Sequence, residues 1–192
     1  MDTKSIMIVG VGGQGTLLAS KLLGNVLLSK GYDVKVSEVH GMSQRGGSVV
    51  TYVRYGSKVY APTIQKGQAD IILAFEQLEA ARWLPYLKTG GKLLLNTQQI
   101  EPMPVIIGKA KYPENILEEI TSTGADVTSM DALSLAMEAG SSKAVNVVLL
   151  GFMASKMDIP YDEWTKVIEN TLSERFIQLN LRAFELGYNY SK

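Results

Sequence analysis

The sequence predicts a three-layer, Rossmann-like α/β domain with a mostly parallel but mixed sheet, closed by C-terminal helices. Three observations carry that prediction. Short β-branched and apolar runs alternate with leucine-rich stretches at helical spacing through the first two thirds of the chain. A glycine-rich turn, GVGGQG (10–15), stands between the first such run and the first such stretch. From Lys143 onward the pattern is helical, which makes about 143–192 a closing segment of one domain spanning 1–192.

Taken in order, Ser5–Val9 reads as a central strand covered on both faces. Leucines at helical spacing fill 16–31, and Gly31 is a stop signal. YDVKVSEV (32–39) alternates as a second strand, and 48–62 alternates on both sides of Gly56-Ser57, the pattern of a hairpin. ADIILAF (69–75) is a buried strand followed by a helix over 76–88, and Gly90-Gly91 precedes a strand at 92–97. MPVIIG (103–108), marked by prolines, reads as a short edge strand. A helix over 113–121 and a strand at 125–130 follow, and Asp131 is placed to cap a helix that Gly140 ends. Beyond Lys143, helices are expected over 143–157, after Pro160, and over 173–187. On the last of these, Phe176, Leu179, Ala183 and Leu186 form an apolar stripe for the core or for a partner.

Composition narrows the chemistry. The chain has 192 residues, 46% apolar and 20% charged, enough for a buried core. Lysine plus arginine equals aspartate plus glutamate at 19 each, so no net field draws nucleic acid or an anionic membrane. There is no cysteine, hence no disulfide, thiolate nucleophile or cysteine-ligated cluster or zinc site. A single histidine, His40, rules out a multi-histidine metal site. The start of the chain lacks a signal-peptide core, and AVNVVLLGFMA (144–154) is too short to span a bilayer. A cytoplasmic location is expected.

Gly10, Gly12 and Gly15 fall on the G-x-G-x-x-G spacing between a strand and a helix. Such a turn lets a ligand or another chain approach the backbone, and the helix aims its first N–H groups there. A dinucleotide reading would place the pyrophosphate at Gly10–Gly15 and a ribose hydroxyl on Glu38, as in a free-standing NAD-dependent dehydrogenase. Against it, the only histidine sits beside Glu38, in the second glycine-rich loop EVHGMSQRGG (38–47), and nothing beyond residue 100 supplies a substrate-binding half. His40 reads as a hydrogen-bonded loop histidine before a catalytic one. Arg45 pairs with Glu38 or contacts an anion, and its flanking glycines favour the anion. Glu76 reads as a first-turn acid of the next helix, and Asn146, opening an apolar helix with Lys143, as a loop anchor or an interface group. A binding module with no active-site contact is the third possibility.

Three stretches taken together, MIVGVGGQGTLLASKLL (7–23), VSEVHGMSQRGGSVVTYVRYG (36–56) and DIILAFEQLEAARWLPYLKTGGKLLLNT (70–97), resemble one family. It is the gamma-type subunit, or domain, of the 2-oxoacid:acceptor (ferredoxin) oxidoreductases. KAVNVVLLG (143–151) and ERFIQLNLRAFELGY (174–188) are similar to the same family, so nearly the whole chain is covered. The S-Q-R-G-G loop is far more specific than the glycine spacing. Within the family, HGMSQRGG is most similar to the beta subunit of the indolepyruvate branch.

The resemblance implies a complex that oxidatively decarboxylates a 2-oxoacid, joins the acyl group to coenzyme A and passes two electrons to ferredoxin. It places thiamine diphosphate and the iron–sulfur clusters in a larger partner subunit, through which ferredoxin is reached, and gives this chain no cofactor, metal or catalytic residue. It implies that Gly10–Gly15 is not an NAD site. Instead Gly12, Gly13, Gln14 and Gly15, with His40, Ser43, Gln44, Arg45, Gly46 and Gly47, would lie against the partner's thiamine-diphosphate cleft. There they would exclude water and offer Arg45 and backbone amides to a coenzyme A phosphate or the 2-oxoacid carboxylate. Glu38, Glu76 and Asn146 are possible rim residues. Apolar surface awaiting a large partner makes a homodimer of the isolated chain as expected as a monomer.

Overall fold

The computed structural model of the chain describes residues 2–41 and 46–190. Six strands, β1 (Lys4–Val11), β2 (Asp33–His40), β3 (Ser48–Gly56), β4 (Ala69–Ala74), β5 (Leu87–Asn96) and β6 (Asp126–Met130), form one sheet in the order β2-β3-β1-β4-β5-β6. β1, β4, β5 and β6 run parallel, whereas β3 is antiparallel to both β1 and β2. The sheet is therefore mixed, with its antiparallel part confined to one side.

Alternation along the central strands assigns each face its own core. Ile6, Ile8, Leu73 and Leu94 point to one side, where they pack with Leu22, Leu23 and Leu27 of α1 (Thr16–Ser29). That layer also contains α5 (Ala132–Ala139), α6 (Val145–Ala154), α7 (Tyr161–Thr171) and α8 (Glu174–Asn189). Met7, Val9, Ile72, Leu93 and Leu95 point to the other side, against Ala80 of α2 (Gln77–Trp83) and Ile116 and Ile120 of α4 (Ile116–Ser122). Helices on both faces of one sheet make the three layers that the sequence predicts. No helix among the described residues is long and apolar enough to cross a membrane.

The helical closing segment is organised by α6, all ten of whose residues are buried. α8 crosses it so closely that a Cβ on Gly187 would lie 1.9 Å from the Val148 carbonyl oxygen, and one on Gly151 2.2 Å from that of Phe184. Phe184 then collects Tyr161, Trp164 and Tyr188, with ring centroids 5.6, 5.9 and 5.9 Å away. The buried stripe of α8 is Asn180, Ala183, Phe184 and Gly187. Phe176, expected on the apolar stripe, is 44% exposed.

Four sequence expectations need correction. The hairpin over 48–62 does not form: β3 ends at Gly56, and both of its edges are already taken by β1 and β2, which leaves no edge for a returning strand. Residues 57–68 instead run outside the sheet, held where Arg54 Nη1 donates to the carbonyls of Ala61 (3.1 Å) and Thr63 (3.2 Å). The edge strand at 103–108 is a short helix, α3 (Met103–Ile106), because Pro104 in its first turn suits a helix start and supplies no ladder donor. The helix over 76–88 stops at Trp83 and passes through a 3-10 turn containing Pro85. β5 then begins at Leu87, so Gly90-Gly91 lies within the strand, at a register irregularity where a Cβ on Gly91 would sit 2.8 Å from the Ala69 carbonyl oxygen.

Burial, with the nearby Tyr32 and Asp70 adding to it, pushes the Tyr55 phenol up from 10.0 to about 12. A phenol whose folded value lies above its unfolded one stabilises the fold below about pH 10 and loses that contribution as pH rises toward 12. Stability by urea unfolding is expected to fall between pH 10 and 12, and Tyr55→Phe should flatten that fall.

Candidate functional site

β1 delivers the chain to the glycine turn at the carboxyl edge of the sheet. Gly13 (φ 106°) and Gly15 (φ 83°) take left-handed conformations there, and Gly15 is the N-cap of α1. Between them Gln14 turns inward. Its Oε1 accepts from Val11 N–H at 2.7 Å, and its Nε2 donates to the Phe75 carbonyl (3.0 Å) and to Gln98 Oε1 (3.2 Å). A Cβ on Gly10 would meet Gln14 Oε1 at 2.8 Å and Phe75 Cβ at 2.9 Å.

α1 leaves this edge on one face of the sheet and α2 on the other, so the ends of β1 and β4 form the switch point where open α/β sheets take ligands. Here the chain's own amide fills it. Asn96, at the end of β5, extends the network: Nδ2 donates to the Phe75 carbonyl (3.0 Å), and Oδ1 accepts from Ala132 N–H (3.1 Å) at the start of α5.

The second glycine loop returns to the first. Gly12 N–H donates to the Gly47 carbonyl at 2.9 Å, and Gly46 N–H to the Gly12 carbonyl at 3.1 Å. The two loops thus form one rim. β3 lies between β1 and β2, so the second loop, which joins β2 to β3, meets the first through the residues entering β3. The same insertion undoes the dinucleotide reading. Glu38 is level with Thr51 of β3, which is level with Ile8 of β1, so Glu38 stands exposed on an edge strand two positions from β1. A ribose acid belongs on the strand beside the glycine turn.

His40 ends β2, exposed, with Nδ1 3.2 Å from the Gly41 carbonyl. Ser43, Gln44 and Arg45 lie outside the described residues. Asn146 reaches the rim from α6: its Nδ2 donates to the Gly15 carbonyl at 3.2 Å, and a Cβ on Gly15 would come within 2.6 Å of that nitrogen. It anchors the loop, one of the two roles its position in the sequence allowed.

Glu76 is not a rim group. It is the N-cap of α2, 1% exposed. Its carboxylate accepts from the N–H groups of Glu79 (2.9 Å) and Ile100 (3.1 Å) and from the Tyr112 hydroxyl. Burial, and then this carboxylate, raise the Tyr112 phenol above its ordinary value.

Beside the rim lies an open cleft of about 530 Å³, lined by Gly13, Gln14, Gly15, Gln98, Leu133 and Lys143 among others. Leu133 and Met137, one turn apart on α5, are 41% and 60% exposed, and Leu17 on α1 is 63% exposed. Sequence reasoning missed Gln98, Asn96 and Leu133. The polar run NTQQ (96–99) directly after KLLL was the available signal for the first two.

The cofactors of the resembled family do not fit these residues. A cluster needs thiolates, and the sequence has no cysteine. A diphosphate held through a divalent cation needs convergent oxygen ligands. No group of three or more His, Asp or Glu that could hold a metal ion occurs among the described residues. The site offers backbone amides, neutral side-chain amides, a lysine and apolar surface.

A mixed α/β sheet with its switch point filled by Gln14 and a doubled glycine rim defines a Rossmann-like domain in which Glu38 does not stand beside the glycine turn. The family of pyruvate ferredoxin/flavodoxin oxidoreductases matches residues 5–190, and the chain belongs to it. It is of the small subunit type of the 2-oxoacid:ferredoxin oxidoreductases. The chain is 45% identical, over 100% of its own length and 98% of the relative's, to indolepyruvate oxidoreductase subunit IorB of Thermococcus kodakarensis. The common gamma subunit of the pyruvate/ketoisovalerate oxidoreductases of the same organism is 24% identical, over 94% of this chain and 92% of the relative. Among solved structures, 2-oxoglutarate:ferredoxin oxidoreductase from Magnetococcus marinus matches at a TM-score of 0.75 and 20% identity. That match covers 97% of this chain but 30% of the other, so the same fold is there one part of a longer chain.

Proposed function

We propose that residues 1–192 act as one gamma-type domain, the small subunit of an indolepyruvate ferredoxin oxidoreductase. The observation that carries the substrate class is the contrast between 45% identity to the indolepyruvate subunit of one organism and 24% to that organism's pyruvate/ketoisovalerate subunit. In the complex, thiamine diphosphate and iron–sulfur clusters in a larger partner subunit supply the oxidative decarboxylation, acyl transfer to coenzyme A and electron transfer to ferredoxin.

This chain's own part follows from the rim. The Gly46–Gly12–Gly47 hydrogen bonds make one surface of two loops, and the exposed Leu17, Leu133 and Met137 give apolar area for docking beside it. Seated on the partner, the rim excludes water from the reacting centre. Gly13 amide, Lys143 and Arg45 then face the anionic group of coenzyme A or the 2-oxoacid, where a low dielectric strengthens each contact.

The test is anaerobic purification of the tagged chain from its native cells, with mass spectrometry and dye-reduction assays on indolepyruvate, pyruvate and 2-oxoglutarate. The expected result is a larger, cysteine-rich, thiamine-diphosphate-containing partner and a kcat/KM for indolepyruvate at least about tenfold above the others. Recovery of the chain alone, or a preference for pyruvate, would overturn the assignment. In the intact complex Arg45→Ala is expected to lower kcat/KM by about tenfold or more. Unchanged kinetics would leave this chain a scaffold.

A further inference from the structure

Glu79 lies in the first turn of α2 and is 4% exposed. A buried carboxylate is costly to desolvate, and an apolar side chain would fill the same space without that cost. Its three partners say what it does there. Oε1 accepts from Arg82 Nε at 3.1 Å, and Oε2 accepts from Trp83 Nε1 at 3.2 Å, both within the same helix. The third bond leaves the helix: Oε2 also accepts from the Ser48 hydroxyl, 31 positions upstream.

Ser48 is the first residue of β3, level with Val11, and follows directly on Gly46 and Gly47, the residues hydrogen-bonded to Gly12. Its residue is exposed and contributes nothing to either core. A carboxylate held in the interior of one layer thus ends on a hydroxyl at the stem of the rim.

We propose that Glu79 is a positioning residue, which through the Ser48 hydroxyl fixes the Gly46–Gly47 stem against Gly12 and so sets the geometry of the rim presented to the partner's active site. This rests on the reading that the rim faces that site. The two backbone hydrogen bonds of the stem both end on Gly12. The carboxylate–hydroxyl bond adds a fixed point on α2, and Trp83 and Arg82 hold the carboxylate itself in one orientation.

The experiment compares Ser48→Ala, Ser48→Thr and Glu79→Gln with Arg45→Ala in the assembled complex, each checked for subunit stoichiometry and for the Tm of the isolated chain. Ser48→Ala is expected to move Tm by less than about 4 °C, since the Glu79 carboxylate keeps its bonds from Arg82 and Trp83. It should lower kcat by about fivefold with subunit stoichiometry unchanged, because the bond from the Ser48 hydroxyl to Glu79 is lost. Ser48→Thr keeps the hydroxyl and should restore most of that loss. Glu79→Gln, which keeps an acceptor of lower charge, should fall between.

Several results would overturn the positioning role. One is unchanged kinetics of Ser48→Ala in a complex that Arg45→Ala impairs, which leaves the function of the rim intact. Another is a loss that threonine does not rescue, or one that follows a large drop in Tm. If Arg45→Ala and Ser48→Ala are both silent, the reading of the rim itself fails.

Discussion

Gly187→Ala is expected to lower the melting temperature of the chain by roughly 10 °C, corresponding to a destabilisation of order 4 kcal/mol for a domain of this size. The added methyl carbon would stand 1.9 Å from the Val148 carbonyl oxygen and 3.0 Å from the Phe152 nitrogen, both backbone atoms of α6. No side chain can turn aside to admit it. Gly151 makes the reciprocal approach, its hypothetical Cβ lying 2.2 Å from the Phe184 carbonyl.

The helices would have to separate along the contact that buries Phe152, Ala183 and Phe184, all 0% exposed. Calorimetry of Gly187→Ala against Gly41→Ala, whose added carbon would meet open space, isolates the effect. A fall of less than 3 °C for Gly187→Ala would mean that the two helices part easily. Because α6 also carries Asn146 to the Gly15 carbonyl, the same substitution should disturb the rim.

This crossing was not legible in the sequence, and the reason is physical. Gly151 sits inside an apolar helix and Gly187 near the end of another, where each on its own reads as a weak spot or a stop. Only the approach of two backbones explains both. Local features fared better. Asp131 was legible as an N-cap because its role is set within three residues, and its carboxylate accepts from Ser134 N–H at 3.1 Å.

The glycine turn was likewise legible as a strand-to-helix connection. Its meaning was not, since that depends on β3 entering between β1 and β2. Nothing local specifies that insertion, and YDVKVSEV looks the same whether it lies beside β1 or one strand further out. The family resemblance supplied the function that geometry alone left open between a subunit and a dehydrogenase. Glu79 and Asn96 stayed hidden because a glutamate in a helix and an asparagine after a strand are ordinary until their burial is known.

Asn96→Asp carries the second large expected effect, and its sign depends on pH. Asn96 is 0% exposed, with its amide nitrogen donating to the Phe75 carbonyl at 3.0 Å and its oxygen accepting from Ala132 N–H at 3.1 Å. An ionised aspartate keeps the second bond but turns the first into two acceptors facing one another, with Gln98 Oε1 a third. The cost at pH 7 is of order 3 kcal/mol, the penalty of a buried charge facing two acceptors, while the Phe75 carbonyl keeps its bond from Gln14 Nε2. Burial and these acceptors hold the folded pKa of the introduced acid above its unfolded value of about 3.9.

The native state then binds more protons than the unfolded chain, so the variant's stability relative to the parent rises as pH falls through that pKa toward 4. The protonated acid can donate to Phe75, which restores the lost bond. Asn96→Leu has no such recovery and should show a deficit independent of pH. Urea unfolding of all three proteins at pH 7, 5.5 and 4 distinguishes the cases. A constant deficit for Asn96→Asp would place the Phe75 carbonyl within reach of water instead. Since Ala132 opens α5 and Leu133 lines the cleft, the acid-recovered variant should also regain the rim geometry that the proposed function requires.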